Sequence, residues 1–278
     1  MTDKYAVLGN PIAHSKSPQI HRMFAEQTGQ NISYEAILAP LDGFAAKIEE
    51  LRKAGYKGCN VTVPFKFEAF LIAHNRSVRA ETAKAINTLQ FNGNEAFGDN
   101  TDGIGLVNDL KNNLDFKFNG KRILLVGAGG AAWGVLLPLL MEIPSRLVIS
   151  NRTIAKAKDA AQILCSNFGS YISDSTEFIA KSFSDLPGDK FDIVINATSS
   201  GLSDEMPDIP KTIFAPGALA YEMMYGRETP FMEFARAHGA AVVSDGLGML
   251  VEQAAESFFL WRGVRPQTRP VIDLLKPC

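Results

Sequence analysis

The sequence predicts an α/β protein of two domains. Three observations predict it: strand and helix patterns alternate along most of the 278 residues, a glycine-rich turn joins a buried-strand run to a helix in mid-chain, and two helical segments close the chain with no strand after them. Such alternation is the signature of parallel strands covered by helices. The closing helices have no sheet of their own, so they are expected to pack back on the first domain. The domains are then residues 1–102 plus 247–278, a mixed or parallel α/β unit completed by C-terminal helices, and residues 103–246.

The first domain begins with a short strand, Tyr5 to Gly9, and a loop rich in turn formers that runs to Pro18. Ser17 is placed as N-cap of a helix carrying Ile20, Met23 and Phe24 at helical spacing, which Gly29 ends. Tyr34 to Ala39 is a second strand, and Asp42 to Ala54 a second helix with Phe44, Ile48 and Leu51 on one face. In a third strand, Gly58 to Val63, alternation sends Cys59, Val61 and Val63 one way and Asn60 and Thr62 the other. Lys66 follows Pro64 just beyond that strand's carboxyl end, where open α/β sheets place their ligands. Helical segments at 67–74 and 78–84 precede a hairpin, Ile86 to Phe91 and back through Asn92-Gly93 to Phe97, and Asp102 then opens a helix to Leu114.

The second domain starts at Lys121-Arg-Ile-Leu-Leu-Val-Gly-Ala-Gly-Gly-Ala-Ala-Trp-Gly. Its spacing Gly127-x-Gly129-x-x-Ala132 is that of a Rossmann-type phosphate-binding turn. Gly127 permits the sharp turn, Gly129 lets a pyrophosphate approach the backbone, and Ala132 keeps the helix close to the strand, while free N–H groups and the helix dipole face the phosphates. NAD-binding units carry an acid about twenty residues on, at the end of the next strand. Here that strand, Leu147 to Ser150, ends in Asn151-Arg152-Thr153, with Lys156 and Lys158 following. An arginine at this place attracts a ribose phosphate and favours NADP; Thr153 as a helix cap and Arg152 as a solvated loop residue is the plainer reading of the same stretch. A helix at 154–168, strands at 191–197, 218–222 and 241–244, and a helix at 230–238 complete the domain, before final helices at 247–261 and 270–275.

Composition bounds the partners. Hydrophobic residues make up 46% of the chain and the net charge is −2, which gives no basic field for nucleic acid or an anionic membrane and favours small-molecule chemistry. Cys59, Cys165 and Cys278 form no CxxC pair and leave one thiol over in any disulfide scheme, as in a cytoplasmic protein. The apolar run Tyr5 to Leu8 is too short for a signal peptide, and no stretch reaches the length of a membrane span. The four histidines show no ligand spacing, so no metal site is expected.

Ser15, Ser17, Asn60, Thr62, Lys66, Asn87 and Asp102 are polar residues gathered at strand ends, a set that suits a polyhydroxylated substrate. Reduction of a carbonyl by NADPH needs a proton donor to the oxygen. A lysine ammonium can supply it, and a carboxylate such as Asp102 beside Lys66 favours the charged form. Each residue also has a plainer role, Lys66 as a solvated helix-start lysine and Asp102 as an N-cap. Gln253 interrupts the apolar stripe of Leu250, Ala254, Phe258 and Trp261, so it needs either backbone or a ligand as partner. Tyr225 and Asp245 follow predicted strands and suit the same cleft or a turn.

Together these segments resemble the shikimate dehydrogenase family. The resemblance runs from Ser15-Lys-Ser-Pro through Asn60-Val-Thr-Val-Pro-Phe-Lys66, Ala85-Ile-Asn87-Thr, Asn100-Thr-Asp102-Gly, the Gly127 turn, Asn151-Arg-Thr153 and Asn196-Ala-Thr198 to Asp245-Gly-Leu-Gly-Met249, in the family's order. It implies that Ser15, Ser17, Thr62, Asn87, Asp102, Tyr225 and Gln253 contact shikimate and that Lys66 with Asp102 carries the proton chemistry. It implies NADP contacts from Gly127, Ala128, Gly129, Gly130 and Ala131, from Asn151, Arg152, Thr153 and Lys156, and from Met223 and Gly246. The implied reaction is reduction of 3-dehydroshikimate to shikimate on the route to chorismate and aromatic amino acids, in a cleft between domains that closes on the substrate. A homodimer is compatible with it. Trp133 departs from relatives that carry Arg or a small-to-polar residue there, with consequences for packing beside the cofactor. Thr153 stands where NAD- and quinate-using relatives tend to carry an acid, which argues against that branch. A shikimate and quinate dehydrogenase of looser specificity is the neighbouring alternative; an NADP-sensing binding protein is the alternative from another class, against which Lys66 and Asp102 both speak.

Overall fold

The computed structural model describes residues 2–198 and 205–276, so that Cys278 lies outside the described residues. Contacts divide the chain into one unit running up to Leu106 and resuming at Leu250–Lys276, and another spanning Val107–Met249. No helix among the described residues is long and apolar enough to cross a membrane.

The first unit is built on a six-stranded mixed sheet in the order β2-β1-β3-β5-β6-β4. Its strands are β1 (Asp3–Gly9), β2 (Ile32–Leu38), β3 (Tyr56–Val61), β4 (Asn75–Arg76), β5 (Thr88–Asn92) and β6 (Glu95–Asp99). β1 pairs in parallel with β2 and β3, as helical crossovers require, whereas β3, β5 and β6 run antiparallel and the last two form the expected hairpin around Gly93, at φ 56°. Helix α1 (Ser17–Thr28) buries Ile20, His21, Phe24 and Ala25 and stops where Gly29 turns left-handed at φ 64°. Helix α2 (Phe44–Lys53) buries Phe44, Ile48 and Leu51, the periodic residues of its sequence. One core gathers Leu8, Phe44, Cys59, Val61, Phe65, Ile86 and Leu89, with the Phe44 and Phe65 rings stacked at 4.8 Å. Short helices α3 (Lys66–Ile72), α4 (Val78–Ala83) and α5 (Asp102–Asn108) follow, the last continuing as one wide π turn over Asp109–Asn113 instead of a regular helix to Leu114.

The second unit is a six-stranded sheet in the order β12-β11-β10-β7-β8-β9. Its strands are β7 (Arg122–Val126), β8 (Arg146–Ser150), β9 (Glu177–Lys181), β10 (Phe191–Asn196), β11 (Phe214–Glu222) and β12 (Val242–Ser244), and every pairing is parallel. Counted from β7, this is the doubly wound order 3-2-1-4-5-6. The apolar runs of β7 and β8 are buried on both faces, as central parallel strands demand. Helices α6 (Gly130–Met141), α7 (Ile154–Phe168) and α8 (Pro230–Ala237) cover the sheet; α9 (Leu247–Arg262) and α10 (Arg269–Leu275) complete the chain, and from Leu250 onward they belong to the first unit.

Three expectations are corrected. Ser17 is the first helical residue of α1, not its cap: Lys16 holds the cap position, and the Ser17 N–H donates to Ser15 Oγ at 3.3 Å. Val63 does not face the core but is 66% exposed, because β3 ends at Val61 and a turn closed by Phe65 N–H to Thr62 O breaks the alternation. Thr153 holds the cap position of α7, yet its side chain makes no capping bond. Edge strand β9, half-buried along its length, was not expected, since it lacks the apolar run of its neighbours.

His21 is fully buried in α1 and stacked on Tyr34 at 4.1 Å. Burial lowers its pKa from 6.5 to about 3. As pH falls below 6.5 the unfolded chain binds a proton that the folded chain refuses, so stability is lost between about 6.5 and 3. His21→Phe is therefore expected to gain about 2 kcal/mol on the parent between pH 7 and pH 5 in urea unfolding. A gap that does not change with pH would show that His21 titrates normally.

Candidate active site

In the first unit the ends of β3, β5 and β6, the starts of α3 and α5, and α9 bring four predicted residues together. Lys66 opens α3, held by its carbonyl to the Ile86 N–H at 2.9 Å. Its Nζ donates to Asp102 Oδ2 at 2.6 Å. Asp102 opens α5, and its other oxygen, Oδ1, accepts from Asn87 Nδ2 at 2.8 Å. The orientation of the Asn87 amide follows from its surroundings: Oδ1 accepts the Thr101 backbone N–H at 2.9 Å, so Nδ2 must face Asp102. Gln253, on α9, points Oε1 at Asn87 Nδ2 (3.3 Å) and spends one Nε2 hydrogen on the Leu250 carbonyl (2.8 Å). It thus bonds backbone and site at once.

Counting donors shows what this cluster leaves for a ligand. Both Asp102 oxygens accept hydrogen bonds. Lys66 commits one of its three ammonium hydrogens to Asp102, and Gln253 keeps one amide hydrogen. Lys66 and Asp102 remain partly exposed, with side-chain exposures of 30% and 18%. The cluster can therefore donate to a ligand oxygen and transfer a proton to it.

The remaining predicted substrate contacts are held by bonds of their own. Ser15 and Ser17 follow β1, linked to each other as described. Thr62 sits at the adjoining ends of β1 and β3, its N–H on the Leu8 carbonyl at 2.9 Å and its methyl over Gly9, where an added Cβ would come within 2.5 Å. Tyr225 belongs to the second unit, in the loop after β11, and is 37% exposed. Asp245 takes the turn role: its carboxylate accepts N–H groups from Gly226 and Leu247, both at 3.2 Å.

The second unit's glycine turn fits a pyrophosphate. Gly127 has φ 114°, and a methyl there would lie 3.0 Å from the Ala197 carbonyl, so no larger residue is accommodated. Nothing lies within 4 Å of where Gly129 or Gly130 would carry a Cβ, which leaves the N-terminus of α6 open beside Ala128 and the exposed Ala131. Ala132 is fully buried, as close helix–strand packing requires, and Trp133 beside it is half-buried. After β8, Asn151 Nδ2 donates to the Thr153 carbonyl at 3.0 Å and fixes the loop. Arg152 and Lys156 are exposed there, and among the described residues the Arg152 guanidinium has no partner. Met223 and Gly246 meet: Gly246 N–H bonds the Met224 carbonyl at 2.8 Å, and a Cβ on Gly246 would sit 2.2 Å from the Met223 oxygen.

Sequence reasoning missed Glu222, which is fully buried at the end of β11. Its carboxylate accepts from Asn196 Nδ2 (2.8 Å), Thr229 Oγ1 (2.9 Å) and the Met224 N–H (3.1 Å), and so anchors the loop that presents Met223 and Tyr225. Burial raises its pKa, and these hydrogen bonds oppose the rise. The available signal was a lone acid ending an apolar strand. Thr88, Thr101 and Ser257, buried around Asn87, were missed because small hydroxyl residues carry little pattern.

A doubly wound sheet with an open glycine turn, and a separate unit carrying a lysine–aspartate pair, define a dinucleotide-dependent oxidoreductase of two domains. Residues 7–89 match the shikimate dehydrogenase substrate binding domain, 109–203 the shikimate / quinate 5-dehydrogenase family, and 246–276 the shikimate 5'-dehydrogenase C-terminal domain. The shikimate dehydrogenase (NADP(+)) of Dechloromonas aromatica is 56% identical over 277 residues, covering 99% of this chain and 98% of its own. That of Nitrosospira multiformis is 53% identical with the same coverage. Among solved structures, an Ael1 enzyme from Pseudomonas putida has a TM-score of 0.92 at 45% identity, over 100% of this chain and 99% of that one. The shikimate 5-dehydrogenase of Thermus thermophilus, solved in complex with NADP(H) and shikimate, has a TM-score of 0.83 at 31% identity, over 98% of each chain. The chain belongs to the shikimate dehydrogenase family.

Proposed function

We propose that this protein reduces 3-dehydroshikimate to shikimate with NADPH, on the route to chorismate and the aromatic amino acids. The observation that carries the reading is the Lys66–Asp102 pair at 2.6 Å, set among amide groups in the unit that matches a substrate binding domain. In this reading Ser15, Ser17, Thr62, Asn87, Gln253 and Tyr225 contact the substrate. Bound NADPH supplies a hydride to the carbonyl carbon. Lys66 gives a proton to the carbonyl oxygen as charge develops there, leaving an alcohol, and Asp102 holds the ammonium in place. Asn87 orients Asp102 in turn. The open turn Gly127–Ala131 takes the pyrophosphate, Arg152 with Asn151, Thr153 and Lys156 the ribose phosphate, and Met223 and Gly246 further cofactor contacts. The enzyme is then cytoplasmic and acts on small molecules, not on nucleic acid.

The test is loss of NADPH absorbance on adding 3-dehydroshikimate, beside NADH, and in reverse with shikimate and quinate. Fast oxidation of NADPH, with shikimate far preferred to quinate, is the expected result. Tight NADPH binding with no turnover of either substrate would overturn the reading.

A further inference from the structure

Ser257 stands one helical turn beyond Gln253 on α9 and is fully buried. Its hydroxyl is where the hydrogen bonds behind the candidate site converge. Asn60 Nδ2, from β3, donates to Ser257 Oγ at 3.0 Å; Thr88 Oγ1, from β5, lies 2.7 Å away and Thr101 Oγ1 3.3 Å. Ser257 Oγ in turn donates to the Gln253 carbonyl at 3.0 Å. A hydroxyl has one hydrogen and two lone pairs. Ser257 therefore accepts from Asn60 on β3, while its one hydrogen serves either its own helix or Thr88 Oγ1.

The groups that lean on Ser257 are those that orient Asn87. Thr88 and Thr101 both place their hydroxyls on Asn87 Oδ1, at 2.9 and 3.1 Å, and Asn60 Nδ2 reaches the Asn87 carbonyl at 3.1 Å. Tyr34 completes the set from behind by donating to Asn60 Oδ1 at 2.7 Å. Gly105 adds a backbone constraint: a Cβ there would lie 2.7 Å from the Gln253 N, so α5 and α9 approach as closely as they do only because that side chain is absent. One hydroxyl thus sets α9, and with it Gln253, in register with the strand end that carries Asn87.

We propose that Ser257 is a positioning residue for shikimate binding, acting through Asn87 and Gln253. The inference rests on the assignment of this cluster to the substrate. Among the described residues Ser257 makes no hydrogen bond to Lys66 or Asp102, so its loss acts on how the substrate is held more than on proton transfer. Ser257→Ala removes the acceptor while keeping a good helix former, and the fully buried position offers no water in exchange.

The experiment compares the parent with Ser257→Ala and Ser257→Cys, counting folded enzyme by NADPH binding. The expected result is a KM for shikimate raised roughly five- to twentyfold, with the KM for NADP+ unchanged and kcat reduced by less than the KM rises. Cysteine fills the site with a weak hydrogen-bonding group and should behave as alanine does. A shikimate KM within twofold of the parent in both variants overturns the proposal. Should the parent itself fail to turn over shikimate, the functional reading falls by that fact, and the side-chain amide signals of Asn60 and Asn87 in nitrogen-15 NMR decide the present point. Displaced signals with faster solvent exchange in Ser257→Ala uphold positioning; unchanged signals refute it.

Discussion

Lys66→Ala is expected to lower turnover of shikimate by about a hundred- to ten-thousandfold, the range general acid–base catalysis contributes. Affinity for NADP+ should stay that of the parent, because the turn and loop assigned to the cofactor belong to the other contact unit. The variant loses the proposed proton donor, and it leaves the Asp102 carboxylate with Asn87 as its remaining side-chain donor. Since Asp102 is partly exposed, water can solvate it and the fold should survive. Steady-state turnover beside NADPH binding by fluorescence separates the outcomes. Loss of turnover and cofactor affinity in equal measure would mean that Lys66 is structural.

The second large effect concerns the cofactor. Arg152→Ala should reduce the preference for NADPH over NADH by about ten- to a hundredfold, the worth of a charge-assisted contact to a phosphate. The fall should come through the KM for NADPH, with NADH kinetics nearly unchanged. Arg152 is exposed and, among the described residues, unpartnered, so nothing in the fold is sacrificed by removing it. Raising the salt concentration should narrow the gap between parent and variant, since an exposed charge is screened. A preference ratio that stays at the parent value would return Arg152 to the role of a solvated loop residue.

The second sheet was legible because its physics is local. Apolar runs such as Ile123 to Val126 and Leu147 to Ser150 announce buried parallel strands, and Gly127 marks a backbone conformation that other residues resist. Edge strand β9 escaped because a half-buried strand needs no such run. In the first unit, the meeting of Lys66 with Asp102 spans a sequence separation that no periodicity encodes. It was posed from the chemistry of a lysine beside a carboxylate and from the family resemblance, and not from pattern. Ser17 illustrates the opposite error: Ser-Pro before an apolar stripe reads as a cap, yet the chain enters α1 one residue earlier and Ser15 takes the turn's hydrogen bond. Ser257 and Glu222 were illegible for a common reason. A buried polar residue is defined by its partners, and those of Ser257 come from three separate stretches of chain.

The first contact unit is assembled from both ends of the chain, whereas the second is a single continuous stretch, Val107–Met249. On the ribosome the chain emerges from its N-terminus. The doubly wound sheet can therefore acquire all its strands while α9 is still being made, but Asn60, Thr88 and Thr101 must wait for Ser257, and Asn87 for Gln253. Every nascent chain thus passes through an interval in which Lys66 and Asp102 have been synthesised and the helix that orders their neighbours has not. The candidate site is thus completed only after the second sheet has been synthesised.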